Sequence, residues 1–263
     1  MARIIAVANQ KGGVAKTTTV INVGAVLAAK GYRTLLVDLD PQAALTAAYG
    51  VNPLELERSI YHLLLAQELN TDNVLRRDIR PNLDLLPANL DLAGAEVELI
   101  AQIGREYLLQ EALEPLRPHY DFMLIDCGPS LGLLTINALT AADEVLIPIL
   151  CEYLALRGMG ILFDTIKRVR QRTNPRLSIL GIVVTLYDSR TVHSREVLEE
   201  LRAMFGNRVF NTIIRKSVRF AEAAAANMPI IEYAPNHASA ESYIALVEEI
   251  LNEQKTPRVA PAR

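Results

Sequence analysis

Seven short apolar runs, rich in β-branched residues, alternate with longer helical stretches, and that alternation is the strongest constraint on the fold. The runs cover residues 3–8, 34–38, 83–87, 122–126, 144–149, 178–185 and 209–214. Helices are expected over 16–30, 59–67, 90–99, 106–116, 133–141, 155–172, 192–205, 218–227 and 239–252. Strand and helix in turn predict an α/β fold, a mostly parallel twisted sheet with helices on both faces. Such sheets take ligands beyond the carboxyl ends of their strands. Ala8, Asp38 and Asp126 all close strands, so whatever chemistry they carry gathers at that edge. With no internal repeat and no linker, residues 1–252 read as one domain. The tail 253–263 has two prolines and little apolar content, so it is expected to be disordered.

Residues 9–19, Asn-Gln-Lys-Gly-Gly-Val-Ala-Lys-Thr-Thr-Thr, join the first strand to the first helix. A glycine-bearing loop in that setting wraps nucleotide phosphates, because its backbone N–H groups and the helix N-terminus supply partial positive charge. Gly12 and Gly13 let the backbone approach without a Cβ clash, Val14 and Ala15 complete the turn, and Lys16 adds a full charge. Thr17 is placed to hold Mg²⁺ between the β- and γ-phosphates, with Thr18 beside it. Lysines crowded on a tight turn repel unless an anion sits between them. The usual pattern G-x-x-x-x-G-K-[ST] nevertheless fails at both glycines, where Gln10 and Ala15 stand, and a second lysine, Lys11, fronts the loop. We expect a negative φ at residue 15, which alanine accommodates.

This loop resembles the deviant Walker A motif of the ParA/MinD group of P-loop ATPases. Leu35-Leu36-Val37-Asp38-Leu39-Asp40-Pro41-Gln42 resembles that group's second acidic motif, and the segment from Asp121 to Gly132 resembles its Walker B strand. Residues 133–152, 187–191 and 229–243 are similar to the ParA/Soj partition subgroup, so the likeness spans roughly residues 3–252. The resemblance implies an ATPase using ATP and Mg²⁺. Lys16 would touch the β- and γ-phosphates, Asp126 would be the outer Mg²⁺ partner, and Asp40, near the metal, would orient the attacking water. Asp38 either supports Mg²⁺ or the loop, or caps the following helix. Lys11 would reach the partner subunit's nucleotide across a two-fold interface, so that ATP drives homodimerisation. Thr185, Pro229 and Tyr233 are the candidates around adenine. The subgroup likeness also implies binding of double-stranded DNA without sequence preference through Arg190, Arg215, Lys216 and Arg219, with hydrolysis stimulated by a ParB/Spo0J-like partner.

The sequence departs from the subgroup at Ala15, at Gly128 (usually proline), at Ala43-Ala44 (usually Gly-Asn) and at Arg157 (commonly acidic). Cysteine usage fits a cytoplasmic protein, and the resemblance implies association with the nucleoid. The net charge of −3 gives no global attraction to nucleic acid, so DNA contact must come from a local patch. Cys127 and Cys151 lack CxxC spacing, and four scattered histidines lack metal-ligand spacing. Neither a signal peptide nor a membrane-spanning run is expected. A MinD-like membrane-associated division regulator needs an amphipathic C-terminal helix, which EQKTPRVAPAR cannot form. An iron–sulfur reductase needs bridging cysteines. A related ATPase that positions another cargo differs only in its partner.

Overall fold

The computed structural model describes residues 1–65 and 70–252, without the side chains of residues 153–157. The expected tail, the end of the helix expected over 59–67, and the Arg157 side chain therefore lie outside the described residues. The strands are β1 (Arg3–Val7), β2 (Thr34–Leu39), β3 (Arg76–Arg80), β4 (Leu83–Leu86), β5 (Phe122–Cys127), β6 (Glu144–Leu150), β7 (Ser178–Tyr187) and β8 (Val209–Arg215). They form one sheet in the order β3-β4-β2-β5-β1-β6-β7-β8. Every pairing is parallel except β3 with β4. Central β1 lies between β5 and β6, so the chain leaves it where strand order reverses and a crevice opens.

Period-two alternation sends the strand side chains to two cores. Ile4, Ala6, Leu35 and Val37 face one core, with Ala138 and Leu139 of α6 (Leu133–Ala141), Leu162 and Ile166 of α7 (Tyr153–Arg172), and Leu201 of α8 (Val192–Phe205). Ile5, Val7, Leu36 and Leu124 face the other, with Val20, Val23 and Leu27 of α1 (Lys16–Ala29) and Leu246 and Ile250 of α11 (Ala238–Asn252). The remaining helices are α2 (Ala44–Ala48), α3 (Ile60–Leu64), α4 (Leu92–Leu99), α5 (Leu108–Leu113), α9 (Arg219–Ala225) and α10 (Ile230–Tyr233).

β3 was not expected. Its sequence, Arg-Arg-Asp-Ile-Arg, carries no apolar alternation, yet it pairs with β4 across the two-residue turn Pro81-Asn82. Asn82 has φ +61°, the left-handed geometry that asparagine tolerates after a turn proline. The helix expected over 106–116 shortens to α5 and continues as a 3-10 segment, Glu114–His119, because Pro115 and Pro118 break the ladder. Neither sheet edge presents an unbroken ladder. β3 is short, charged and irregular in register. On β8, the Glu249 carboxylate of α11 accepts the backbone N–H groups of Asn211 (2.9 Å) and Thr212 (2.7 Å) and the Thr212 hydroxyl.

Candidate nucleotide site

The loop after β1 is pinned by a residue ahead of its glycines. Asn9 is buried; its Nδ2 donates to the Pro148 carbonyl of β6 at 2.7 Å, and its Oδ1 accepts the Lys11 N–H at 3.0 Å. Gly12 and Gly13 stay exposed, and Gly13 uses φ +71° to turn the chain. Ala15 corrects the expectation of negative φ: it sits at φ +63°, ψ +35°, as the residue before α1. A Cβ in that region costs about 1 kcal/mol, offset here because the Ala15 carbonyl accepts both the Thr19 N–H (2.9 Å) and hydroxyl (2.7 Å). Lys16 is buried and folds back over the loop, its ammonium 3.4 Å from the Lys11 carbonyl. Burial lowers its pKa, while nearby Asp126, Cys127 and Asp40 pull it up. Thr17 and Thr18, in the first turn of α1, are half-buried.

One of the crowded lysines finds an anion, and it belongs to the protein. Lys11 makes an ion pair with Glu152, the residue after Cys151 beyond the end of β6. Both partners are partly exposed, so the pair is weak and readily exchanged for a stronger anion.

Three carboxylates gather beside the loop. Asp38 and Asp126 stand directly opposite each other on adjacent strands β2 and β5, and both are fully buried. Asp38 is spent on structure. It accepts the Thr46 N–H (2.8 Å) and hydroxyl (2.6 Å) at the start of α2, and the Asp40 N–H (3.2 Å). Of its two open roles the helix-capping one is what the contacts show. Burial nonetheless lifts its pKa to about 6 against those hydrogen bonds. Asp126 is different: neither buried carboxylate oxygen has a hydrogen-bond partner among the described residues. Burial above all, then Asp38, raises its pKa well above the ordinary carboxylate range, and the nearby Thr17 hydroxyl and Lys16 relieve it only in part. An orphaned buried carboxylate beside a hydroxyl and an ammonium fits a divalent cation. Asp40 has one oxygen 3.0 Å from the Gln42 N–H, and the glycine at 128 lies against it, where a Cβ would come within 3.4 Å of that same oxygen.

Thr185 requires a second correction. Its side chain is fully buried, with its hydroxyl 3.0 Å from the Val14 carbonyl and 3.1 Å from the Ile149 carbonyl. It braces the loop from beneath, out of reach of a base. Pro229 is buried ahead of α10, where the Ile230 N–H donates to Asn22 of α1 at 2.7 Å. Tyr233 is half-buried and its hydroxyl lies 3.2 Å from Glu222. Pro229 and the start of α10 therefore lie beside α1.

The four basic residues come together on the same sheet edge as the loop. Arg190 follows β7, and Arg215 ends β8 in register with Tyr187. Lys216 donates its N–H to the Tyr187 carbonyl at 3.0 Å, and Arg219 opens α9. All four are exposed. Arg190 forks onto Asp188 (2.9 and 2.7 Å), holding that carboxyl well below its usual range, and Arg219 reaches Glu222 (2.8 Å).

A phosphate loop with a folded-back lysine, at the reversal point of a parallel sheet and flanked by buried acids, defines a P-loop nucleotide-binding protein. A family model described as an AAA domain matches residues 2–179. The sporulation initiation inhibitor protein Soj of Bacillus subtilis is 45% identical over 250 residues, covering 95% of this chain and 98% of Soj. The chromosome partitioning protein ParA of Caulobacter vibrioides is 42% identical, with 96% and 95% covered. A crystal structure titled cobyrinic acid a,c-diamide synthase from Mycobacterium smegmatis, with an ATP analogue and magnesium bound, superimposes with TM-score 0.85 at 43% identity, covering 100% of each chain. The chain belongs to the P-loop ParA family.

Sequence reasoning passed over Asn9, Glu152 and Thr46. Asn9 carried a signal, since asparagine two residues before a turn bonds back to the backbone. Glu152 could be paired with Lys11 only once β6 was known to neighbour β1.

Proposed function

We propose that this chain is a DNA-partition ATPase. In this reading it binds ATP with Mg²⁺, pairs with a second copy across the nucleotide, and retains double-stranded DNA without sequence preference. Hydrolysis, stimulated by a ParB/Spo0J-like partner, releases it from the nucleoid. The observation that carries the reading is that the exposed basic cluster at the ends of β7 and β8 shares a sheet edge with the phosphate loop. Nucleotide and nucleic-acid chemistry then lie on one face.

Thr17 and Asp126 would hold the magnesium, with Asp40 beside it; the ion would neutralise charge between the β- and γ-phosphates. Gly12, Gly13 and the first N–H groups of α1 cradle phosphate oxygens, and Lys16 supplies the charge that the loop lacks in its absence. Asp40, with room beside it at Gly128, orients the attacking water. Lys11 exchanges Glu152 for a phosphate of the partner's nucleotide, which ties dimerisation to the triphosphate. An amide-synthase activity, which the name of the Mycobacterium smegmatis structure carries, finds no exposed thiol among the described residues. Cys127 and Cys151 are buried, and burial pushes the first thiol far up and the second to about 11. No helix among the described residues is long and apolar enough to cross a membrane, and a liposome flotation assay separates a MinD-like role.

The test is co-sedimentation with duplex DNA in ATP, ADP and no nucleotide. Retention is expected with ATP alone, falling steeply with salt and indifferent to sequence. Equal retention in all three states sinks the proposal. Asp40→Ala should still bind ATP but lose about 100-fold or more in turnover, the usual scale for a group that acts in proton transfer.

A further inference from the structure

We propose that the carboxyl end of β7, residues 185–188, is the mechanical link through which the phosphate loop sets the position of the basic loops. The inference rests on the partition reading and deepens it by assigning Thr185 and Leu186 as positioning residues.

Successive residues of this segment hold opposite ends of the machinery. Thr185 hydrogen-bonds the Val14 carbonyl in the phosphate loop. Tyr187 accepts the Lys216 N–H, and Asp188 binds the Arg190 backbone N–H (3.0 Å) and guanidinium. Between them Leu186 sits at φ +50°, a conformation that its Cβ opposes. The register of β7 against β8 shifts between Val184 and Tyr187, so the ladder is already broken around Leu186. A cavity of about 350 Å³, lined by Leu186, Glu152, Asp188, His193 and Lys216 among others, borders the same segment and gives it room to move.

A strained residue at a ladder break, beside open space, has two backbone states, as seen and relaxed to extended. Relaxation would swing the Tyr187 and Asp188 contacts while pulling on Thr185. Phosphate drawn into the loop fixes the Val14 carbonyl and hence Thr185, so nucleotide biases the equilibrium that the basic loops read. Coupling of this kind runs both ways.

The test uses the full chain with Thr185→Val, Thr185→Ser and Leu186→Gly. Readouts are affinity for a fluorescent ATP analogue, duplex-DNA affinity with ATP analogue and with ADP, and amide hydrogen exchange at residues 188–191 and 215–219. Nucleotide should change exchange in the parent. At saturating nucleotide, Thr185→Val and Leu186→Gly should lose that change and lower the ATP-to-ADP ratio of DNA affinities by about fivefold or more. Thr185→Ser should restore both. Unchanged exchange and ratio in the two variants, or no rescue by serine, overturns the link. A parent that shows nucleotide-dependent exchange but never retains DNA refutes the partition reading while leaving the link standing.

Discussion

Ala15 and Asp126 are two residues at which the site is held in an unfavourable state. At φ +63° an alanine pays a steric penalty that glycine avoids, against glycine's own entropic cost in the unfolded chain. Ala15→Gly should therefore stabilise the nucleotide-free protein by about 0.5 kcal/mol, a rise in melting temperature of ~1–2 °C. A lower melting temperature would mean the loop relaxes around the methyl group. For Asp126 the sign follows from its raised native pKa. The fold favours the protonated acid, so its contribution is complete below the unfolded value near 3.8 and is lost as pH rises through the native pKa. Asp38 adds the same trend between 3.8 and about 6. Asp126→Asn should therefore be the more stable protein at pH 7.5 without nucleotide, by about 1 kcal/mol or more, with the two curves converging towards pH 4. Thermal melts across pH check this, and Mg²⁺-ATP should stabilise the parent but not the variant.

Elements were legible to the extent that their apolar period was their own. The strands that bury both faces, such as β1, β2 and β5, announce themselves as continuous apolar runs. β3 escaped because none of its residues is fully buried and its pairing is imposed by β4 through the Pro81-Asn82 turn. The short helix α2 escaped because its start is fixed by Asp38, eight residues away, and not by a local cap. At the site, the loop residues and acids were readable as a linear motif. Glu152 and the bracing role of Thr185 were not, since each depends on which strands neighbour β1 and β6. Packing between β7 and β8 gives a test at this scale. A Cβ at Gly181 would lie 2.5 Å from Phe210 Cε2 and within 3.0 Å of two further ring atoms. Gly181→Ala should destabilise the protein by about 1–3 kcal/mol, the cost of overpacking a buried ring, measured by denaturant unfolding.

At the scale of the molecule, one sheet edge carries the loop, the acids and the basic cluster, and the pairing of two copies is expected at that edge. Lys11→Ala should leave the chain monomeric by analytical ultracentrifugation with a slowly hydrolysed ATP analogue, where the parent is expected to sediment as a dimer. Dimerisation of the variant to the parent's extent would remove Lys11 from the interface.

The Glu249 carboxylate has a wider bearing wherever copies of this chain come close together. Because it occupies two of the N–H groups of β8, and β3 is charged and irregular at the far side, neither edge offers packed molecules an unbroken backbone ladder for cross-β growth. High local density can then be reached through side-chain faces alone, which nucleotide turnover is able to undo.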